Sequence, residues 1–169
     1  HIEDANRVLN AVDAVVIRNT GPKSTHAKLL MALKQNKGLL LFNDLLGKGD
    51  ILGKSHLELL FKAKYPVIPT FTSIDELFGS FERYLLKPID GADSYGVKIL
   101  TYQELLKETH HNFLIQPLID FQYEVSFYFI GKEFQYALYA KDPTKRWELV
   151  PYHPLREDIE FALKFIDWN

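Results

Sequence analysis

Short apolar runs alternate with an amphipathic stretch at the start of the chain. Residues 14–17 and 39–42 are apolar runs of the length of a buried strand. Between them, residues 24–36 repeat apolar positions at helical spacing, and Gly38 follows as a suitable helix C-terminus. A strand–helix–strand order of this kind predicts a unit of parallel α/β structure.

The middle of the chain predicts helices around a hairpin. Residues 54–64 place apolar side chains on one helical face. Ser73 and Thr101 each stand three residues before a glutamate, Glu76 and Glu104, which is the capping-box pattern that opens a helix. The segment between these two helix starts contains two apolar runs joined by a glycine-containing loop, and this predicts a hairpin.

The second half predicts an antiparallel sheet, because aromatic residues concentrate there and favour strands. The predicted strands are residues 113–119, 124–130 and 134–141. The last two pair across the turn at 131–133, a polar loop follows at 142–146, and 156–166 has the spacing of a final helix. The order predicts a mixed α/β and α+β fold in which two sheet lobes enclose a cleft.

Composition narrows the class of protein. The 169 residues suit one domain or two small lobes, and the net charge of −2 argues against nucleic acid or a membrane surface as a partner. The absence of cysteine excludes disulfides and thiolate metal sites. No apolar run approaches the roughly 20 residues that span a bilayer, and the polar, acidic first residues do not form a signal peptide. We expect a cytoplasmic protein.

The strongest chemical signal lies in residues 84–97. An apolar run ends at Lys87-Pro88, and a short loop with Gly91 and Gly96 leads into the next apolar run. A lysine offers three donors on a compact charge, and glycines let backbone N–H groups approach phosphate oxygens closely. The segment is not a P-loop, because it lacks that spacing and the helix that follows. A plain hairpin remains the alternative interpretation.

Further signals follow in order along the chain. Lys54 opens a helix in Gly-Asp-Ile-Leu-Gly-Lys-Ser-His, Lys87 comes about thirty residues later, Leu-Ile-Gln-Pro-Leu-Ile at 114–119 about thirty further, and then Glu124-Val-Ser-Phe. This order resembles the ATP-grasp superfamily. Within it, the chain is similar to the branch of bacterial glutathione synthetases and ribosomal-protein-modifying glutamate ligases. The resemblance covers about residues 14–141.

The resemblance implies roles for these residues. ATP would lie between the two lobes, with Lys54 and Lys87 on its phosphates and Lys87 also near the adenine ring. The loop after Lys87 would fold over the phosphates and offer backbone donors. Its candidate residues are Asp90, Gly91, Ser94 and Gly96.

The resemblance also assigns residues beyond the loop. A hinge strand would present its backbone to the adenine edge, and its candidate residues are Gln116, Pro117, Leu118 and Ile119. Glu124 would hold the ribose hydroxyls, and Lys141 would face the transferred phosphate. Arg18 is a candidate anchor for a substrate carboxylate because its planar fork fits that group, and a structural salt bridge is the alternative.

The implied activity is an ATP-dependent ligase that joins a carboxylate to an amine or thiol through an acyl phosphate. Mg²⁺ would neutralise charge on the transferring phosphoryl group. The chain departs from the family in three places: Asp93 adds negative charge to the loop, Pro117 stands where an acidic residue is common, and no Glu-x-Asn strand supplies magnesium ligands. We expect those ligands beyond the end of this chain. A non-catalytic nucleotide-binding or interaction module and a small-molecule kinase are the alternative functions.

The resemblance sets the expected domain boundaries. Residues 1–50 would be part of a small α/β domain that precedes the ATP-grasp domain, and 51–169 would be an incomplete ATP-grasp domain with lobes at 51–112 and 113–169. The expected partners are ATP, a small-molecule or peptide carboxylate, and an amine or thiol acceptor. Neither nucleic acid nor membrane is expected, and dimers are common in the resembling family, which leaves a homodimer open.

Overall fold

The structure, a computed structural model, describes residues 5–17, 26–43, 45, 53–79, 81–90, 94–109 and 111–168. The chain forms two compact units, His1–Leu118 and Ile119–Asn169. Across the described ranges, no helix combines the length and the apolar character that crossing a membrane requires. The predicted domain boundaries at residues 50 and 112 stay a prediction.

The first unit begins with the α/β structure that the sequence predicts. Its elements are α1 (Ala5–Leu9), β1 (Ala14–Val16), α2 (His26–Gln35) and β2 (Leu40–Phe42). β1 and β2 pair in parallel, with Ala14 opposite Leu40. A small core of Leu9, Ile17, Ala32, Leu33 and Leu45 lies beside this pair. The sequence pattern does not predict α1.

The first unit continues with a three-stranded antiparallel sheet. Its elements are α3 (Ser55–Lys62), a 3₁₀ turn (Ile74–Glu76), β3 (Tyr84–Pro88), β4 (Lys98–Leu100), α4 (Tyr102–Leu105) and β5 (Phe113–Pro117). β3 is the central strand, between β4 and β5. Leu86 and Ile115 are paired across β3 and β5 and are fully buried. Each contributes about 1.5–3 kcal/mol relative to an exposed side chain.

The second unit is an antiparallel sheet followed by a helix. Its elements are β6 (Glu124–Ile130), β7 (Glu133–Ala140), β8 (Leu149–Tyr152) and α5 (Arg156–Trp168). The strand register shifts between Tyr128 and Phe129, and this shift leaves Gln135 as an extra residue in β7. The rings of Tyr128 and Tyr136 stack there with centroids 4.5 Å apart.

Two expectations about helix starts have different outcomes. Thr101 forms the predicted capping box: its hydroxyl accepts from the Glu104 N–H, and the Glu104 carboxylate accepts from the Thr101 N–H at 2.8 Å. The capping box predicted at Ser73 is wrong. The Ser73 hydroxyl accepts from the Asp75 N–H and Glu76 reaches back to Thr72, because this segment forms a single 3₁₀ turn.

Candidate functional site

Lys87 lies near the end of β3, where the sequence predicts a phosphate-binding lysine. Its backbone is opposite Leu114 of β5, which makes Gln116 its diagonal neighbour on the same face of the sheet. The Lys87 ammonium donates to the Gln116 Oε1 atom at 2.7 Å. The strand pairing and this hydrogen bond together place the Lys87 ammonium beside Gln116.

The Gln116 side chain is itself held by a second buried polar group. Its Nε2 atom donates to the Thr70 hydroxyl at 2.7 Å, and that hydroxyl donates to the Ile68 carbonyl at 2.8 Å. Gln116 is 3% exposed and Thr70 is 1% exposed. The Phe71 N–H donates to the Ile115 carbonyl, and the Ile115 N–H donates to the Phe71 carbonyl. Thr70, the residue before Phe71, therefore lies beside β5. These contacts form a chain, Lys87–Gln116–Thr70–Ile68, which we call the lysine relay.

Lys54, the second predicted phosphate ligand, meets the end of the same strand. Its backbone N–H donates to the Ile89 carbonyl at 2.9 Å, just before α3 begins. Gly53 has φ +79°, and a Cβ atom there would lie 2.7 Å from the Ile89 oxygen and 3.2 Å from Asp90 Oδ1. Only glycine permits this approach without displacement. The structure thus brings the start of α3 to the residues that follow Lys87.

The ends of the predicted phosphate loop are held by backbone contacts. The Ile89 N–H donates to the Asn112 carbonyl at 3.0 Å, and Asn112 Nδ2 lies 3.5 Å from Asp90 Oδ2. At the other end, Gly96 has φ +72°, and a Cβ atom would lie 2.9 Å from the Pro88 ring.

Inside the loop, Ser94 has φ +61°, and its carbonyl accepts from the Val97 N–H at 3.2 Å. Of the predicted loop residues, Asp90, Ser94 and Gly96 are described. Gly91 lies outside the described residues.

The predicted hinge is the end of β5. The Leu118 N–H donates to the Arg83 carbonyl at 2.9 Å, so that donor is engaged in the sheet. Alternation along the strand directs the Pro117 carbonyl to the opposite edge of β5, where Ile115 pairs with Phe71. Ile119 begins the second unit. The adenine-binding role of these residues stays a prediction.

In the second unit, Glu124 opens β6 and forms a bidentate ion pair. Arg146 donates from Nε to Oε2 at 2.8 Å and from Nη2 to Oε1 at 3.1 Å. A carboxylate has about four acceptor sites, so this pair leaves capacity for a further donor. The partner of Glu124 across the sheet is Ala140, and Lys141 follows just after β7 ends. The ribose and phosphate roles of Glu124 and Lys141 stay predictions.

The remaining candidates are Arg18 and a metal site. Arg18 lies outside the described residues. Within the described ranges, no three His, Cys, Asp or Glu side chains lie together in a way that could hold a metal ion.

Thr70 and the side chain of Gln116 are the parts of the site that the sequence pattern does not indicate. The resemblance gives Gln116 a role through its backbone only, and it gives Thr70 none. The only signal is the presence of single polar residues inside apolar segments, at 66–71 and 113–119. Buried polar groups in such segments usually have a hydrogen-bond partner, but the sequence does not say which one.

Comparison with known proteins identifies the fold. No family model and no curated protein matches the chain. The structure resembles that of D-cycloserine synthetase DcsG with a TM-score of 0.60 and 15% identity, over 96% of this chain and 72% of that one. It resembles D-alanine–D-alanine ligase from Bacillus anthracis, complexed with ATP, with a TM-score of 0.60 and 13% identity, over 98% of this chain and 63% of that one.

A third similar structure is that of an ATP-grasp ligase. The ATP-grasp ligase PsnB, complexed with a phosphomimetic variant of its minimal precursor, Mg and ADP, matches with a TM-score of 0.59 and 15% identity. That match covers 90% of this chain and 61% of PsnB. The chain thus spans 61% to 72% of the length of these three proteins. The predicted fold class is confirmed: the chain has the ATP-grasp fold.

Proposed function

We propose that this ATP-grasp chain binds ATP as part of a ligase that joins a carboxylate to an amine or thiol. The observation that carries the proposal is the Lys87 ammonium, fixed at the end of β3 by the buried Gln116 amide. The start of α3 approaches the same strand end through Gly53 and Lys54. Ligases with ATP or ADP in their solved complexes share this fold.

The chemistry of the described residues suits a nucleotide phosphate tail. Phosphoryl transfer depends mainly on positioning and on positive charge near the phosphates, so no covalent nucleophile is required from the protein. Lys87 supplies a cationic group near this strand end, and the backbone of a second lysine, Lys54, lies at the same place. The N-terminal end of α3 adds backbone N–H donors and the positive end of a helix dipole.

The proposed reaction has two steps. A substrate carboxylate oxygen forms a bond to the γ-phosphorus of ATP, the bond from that phosphorus to the β–γ bridging oxygen breaks, and ADP leaves. The amine or thiol then forms a bond to the acyl carbon, the carbon–oxygen bond to phosphate breaks, and the nucleophile loses a proton. Lys87 and Lys54 hold the phosphates in this scheme. When bound, Mg²⁺ would supply charge neutralisation on the transferring group.

The finer parts of the proposal come from the resemblance and from the names of similar structures. We propose a branch similar to glutathione synthetases and glutamate ligases, a small-molecule or peptide carboxylate as substrate, and a cytoplasmic location. Another structure of PsnB was solved with a precursor peptide and AMPPNP, which supports a peptide among the candidate substrates. A homodimer remains part of this proposal.

The test compares two lysine variants on adjacent strands. Lys87→Ala removes the proposed phosphate ligand, whereas Lys98→Ala removes an exposed lysine of β4 that pairs with Glu108 at 2.8 Å. Hydrogen bonds to charged groups contribute about 1.5–3 kcal/mol, so Lys87→Ala is expected to weaken binding of a non-hydrolysable ATP analogue about tenfold to hundredfold. Lys98→Ala is expected to bind as the unchanged chain does.

Circular dichroism on both variants controls for folding, and calorimetry measures the affinity. Equal affinity in Lys87→Ala and the unchanged chain would overturn the assignment of Lys87. ATP binding without carboxylate-dependent release of phosphate, measured on the full-length protein, would favour the non-catalytic nucleotide-binding module. Phosphate transfer to a hydroxyl without a ligated product would favour the small-molecule kinase.

A further inference from the structure

The hydrogen bonds of the lysine relay all run in one direction, because each group determines whether the next one donates or accepts. The Ile68 carbonyl can only accept, so the Thr70 hydroxyl must give its proton to that oxygen. The Thr70 oxygen is then left to accept, and it accepts from the Gln116 Nε2 atom at 2.7 Å. The amide is therefore turned so that its Oε1 atom faces Lys87, an ammonium that can only donate.

The opposite orientation of the amide would be unfavourable at both ends. A flipped Gln116 would direct its NH₂ group at the Lys87 ammonium and its carbonyl oxygen at a hydroxyl oxygen whose proton is already in use. Both contacts would place like groups together in a region where Gln116 and Thr70 are almost completely buried. A buried donor or acceptor that has no hydrogen-bond partner destabilises the fold by its full desolvation penalty. The Ile68 carbonyl and the Thr70 hydroxyl thus select one orientation of the amide.

We propose that Thr70 is a positioning residue for nucleotide binding: its hydroxyl orients the Gln116 amide, which in turn holds the Lys87 ammonium in place for a phosphate oxygen. This role presupposes the proposed function of Lys87. Thr70 does not contact the nucleotide in this scheme. It acts through two hydrogen bonds, across a separation of 46 residues to Gln116 and a further 29 residues from Gln116 to Lys87.

Removal of the hydroxyl leaves the Gln116 amide without its partner. Thr70→Val keeps the branched shape of the side chain and replaces the hydroxyl with a methyl group. The Gln116 amide is then held only from its Oε1 side, so the acceptor that it presents to the Lys87 ammonium is less firmly positioned. Thr70→Ser keeps the hydroxyl and removes a methyl group. The two variants therefore separate the hydroxyl from the packing.

The experiment measures the affinity of a non-hydrolysable ATP analogue by calorimetry for the unchanged chain, Thr70→Val and Thr70→Ser. Loss of one such hydrogen bond is expected to weaken binding about tenfold in Thr70→Val, while Thr70→Ser binds within about twofold of the unchanged chain. Thr72→Val is the matched control, because the Thr72 hydroxyl bonds to Glu58 instead. It is expected to leave the affinity unchanged.

A spectroscopic readout accompanies the affinities. The side-chain NH₂ of Gln116, observed by ¹⁵N NMR, is expected to exchange slowly in the unchanged chain and in Thr70→Ser, and rapidly in Thr70→Val. If Thr70→Val does not fold, Thr70→Ala removes the same hydroxyl and takes its place.

Full affinity in the variant without the hydroxyl would overturn the role of Thr70. Equal weakening in Thr70→Ser would also overturn it, because packing would then be the cause. Absence of binding by the unchanged chain would overturn the proposed function itself, and the role of Thr70 with it. The affinity of the unchanged chain thus separates the two failures.

Discussion

Substitution of Gly53 by alanine tests the packing that brings α3 to the end of β3. Gly53 has φ +79°, a conformation that alanine adopts at a cost, and an added Cβ atom would lie 2.7 Å from the Ile89 carbonyl oxygen. That oxygen is backbone, so it can move only if the strand end moves. The same oxygen accepts the Lys54 N–H at 2.9 Å. Relief of the clash therefore breaks or lengthens that hydrogen bond.

The expected loss of stability is the sum of two contributions. The left-handed backbone conformation costs an L-residue about 1–2 kcal/mol. The hydrogen bond from Lys54 to Ile89 contributes about 1 kcal/mol. Gly53→Ala is therefore expected to lower the free energy of unfolding by about 2–3 kcal/mol, which is a large part of the total for a domain of this size.

Two other glycines of the first unit separate these contributions. Gly79 has φ +74°, and its nearest contact for an added Cβ is the Phe81 ring at 3.8 Å, an ordinary distance. Gly79→Ala is expected to cost only the backbone term, about 1–2 kcal/mol. An added Cβ at Gly38 would have no neighbour within 4 Å, and its φ lies outside the left-handed range. Gly38→Ala is expected to leave stability unchanged or to raise it slightly.

Urea unfolding followed by far-UV circular dichroism measures these differences. Fluorescence is unsuitable for this purpose, because both tryptophans, Trp147 and Trp168, belong to the second unit. Equal losses in Gly53→Ala and Gly79→Ala would contradict this explanation, since the close approach of Gly53 to Ile89 would then carry no energetic consequence.

Two further predictions concern exposed carboxylates. Hydrogen bonds from the Thr101 N–H and, to a smaller extent, from its hydroxyl lower the pKa of Glu104. The ionised carboxylate therefore stabilises α4 at any pH above the ordinary glutamate pKa of about 4.3. This stabilisation is lost as the pH falls through the lowered pKa of the folded state. Glu104→Gln should be less stable than the unchanged chain at pH 7, with a difference that shrinks below about pH 4 in urea unfolding. Arg146→Met removes the ion pair with Glu124, which is exposed, and should change the free energy of unfolding by less than about 1 kcal/mol.

Each of these predictions has its own control. For Glu104→Gln, a stability difference that stays constant between pH 7 and pH 3 would contradict the assigned cause. For Arg146→Met, the matched variant is Lys132→Met, which removes another exposed ion pair of the same unit, with Asp167. A much larger loss in Arg146→Met than in Lys132→Met would mean that the Arg146 pair carries more of the stability of this unit than its exposure indicates.

The sheets are predictable because their side chains alternate. The register places Glu124, Ser126 and Tyr128 on one face of β6, as the pattern indicates. The sequence does not predict β8, because Pro151 lowers the strand signal of Leu149–Tyr152. Proline is tolerated there because β8 lies at the edge of its sheet.

Residues of the candidate site are predictable from the sequence only where the neighbouring residues in the chain indicate their role. Lys87 and Lys54 stand out because each lies at the junction of an apolar element and a glycine-containing loop. The role of Thr70 depends on the pairing of its neighbour Phe71 with β5, and the ion pair of Glu124 with Arg146 joins the start of β6 to the turn between β7 and β8. Contacts between residues so distant in the chain follow from how the elements pack together, which the local pattern does not specify.

The proposed nucleotide site is best tested by a calorimetric titration of this chain with a non-hydrolysable ATP analogue, with and without Mg²⁺. A site at Lys87 predicts saturable binding of one analogue per chain, with an affinity in the range of about 1 μM to 1 mM that enzymes show for their substrates. We expect Mg²⁺ to strengthen it, since the ion reduces the charge on the phosphates. Absence of saturable binding under both conditions would contradict the proposal.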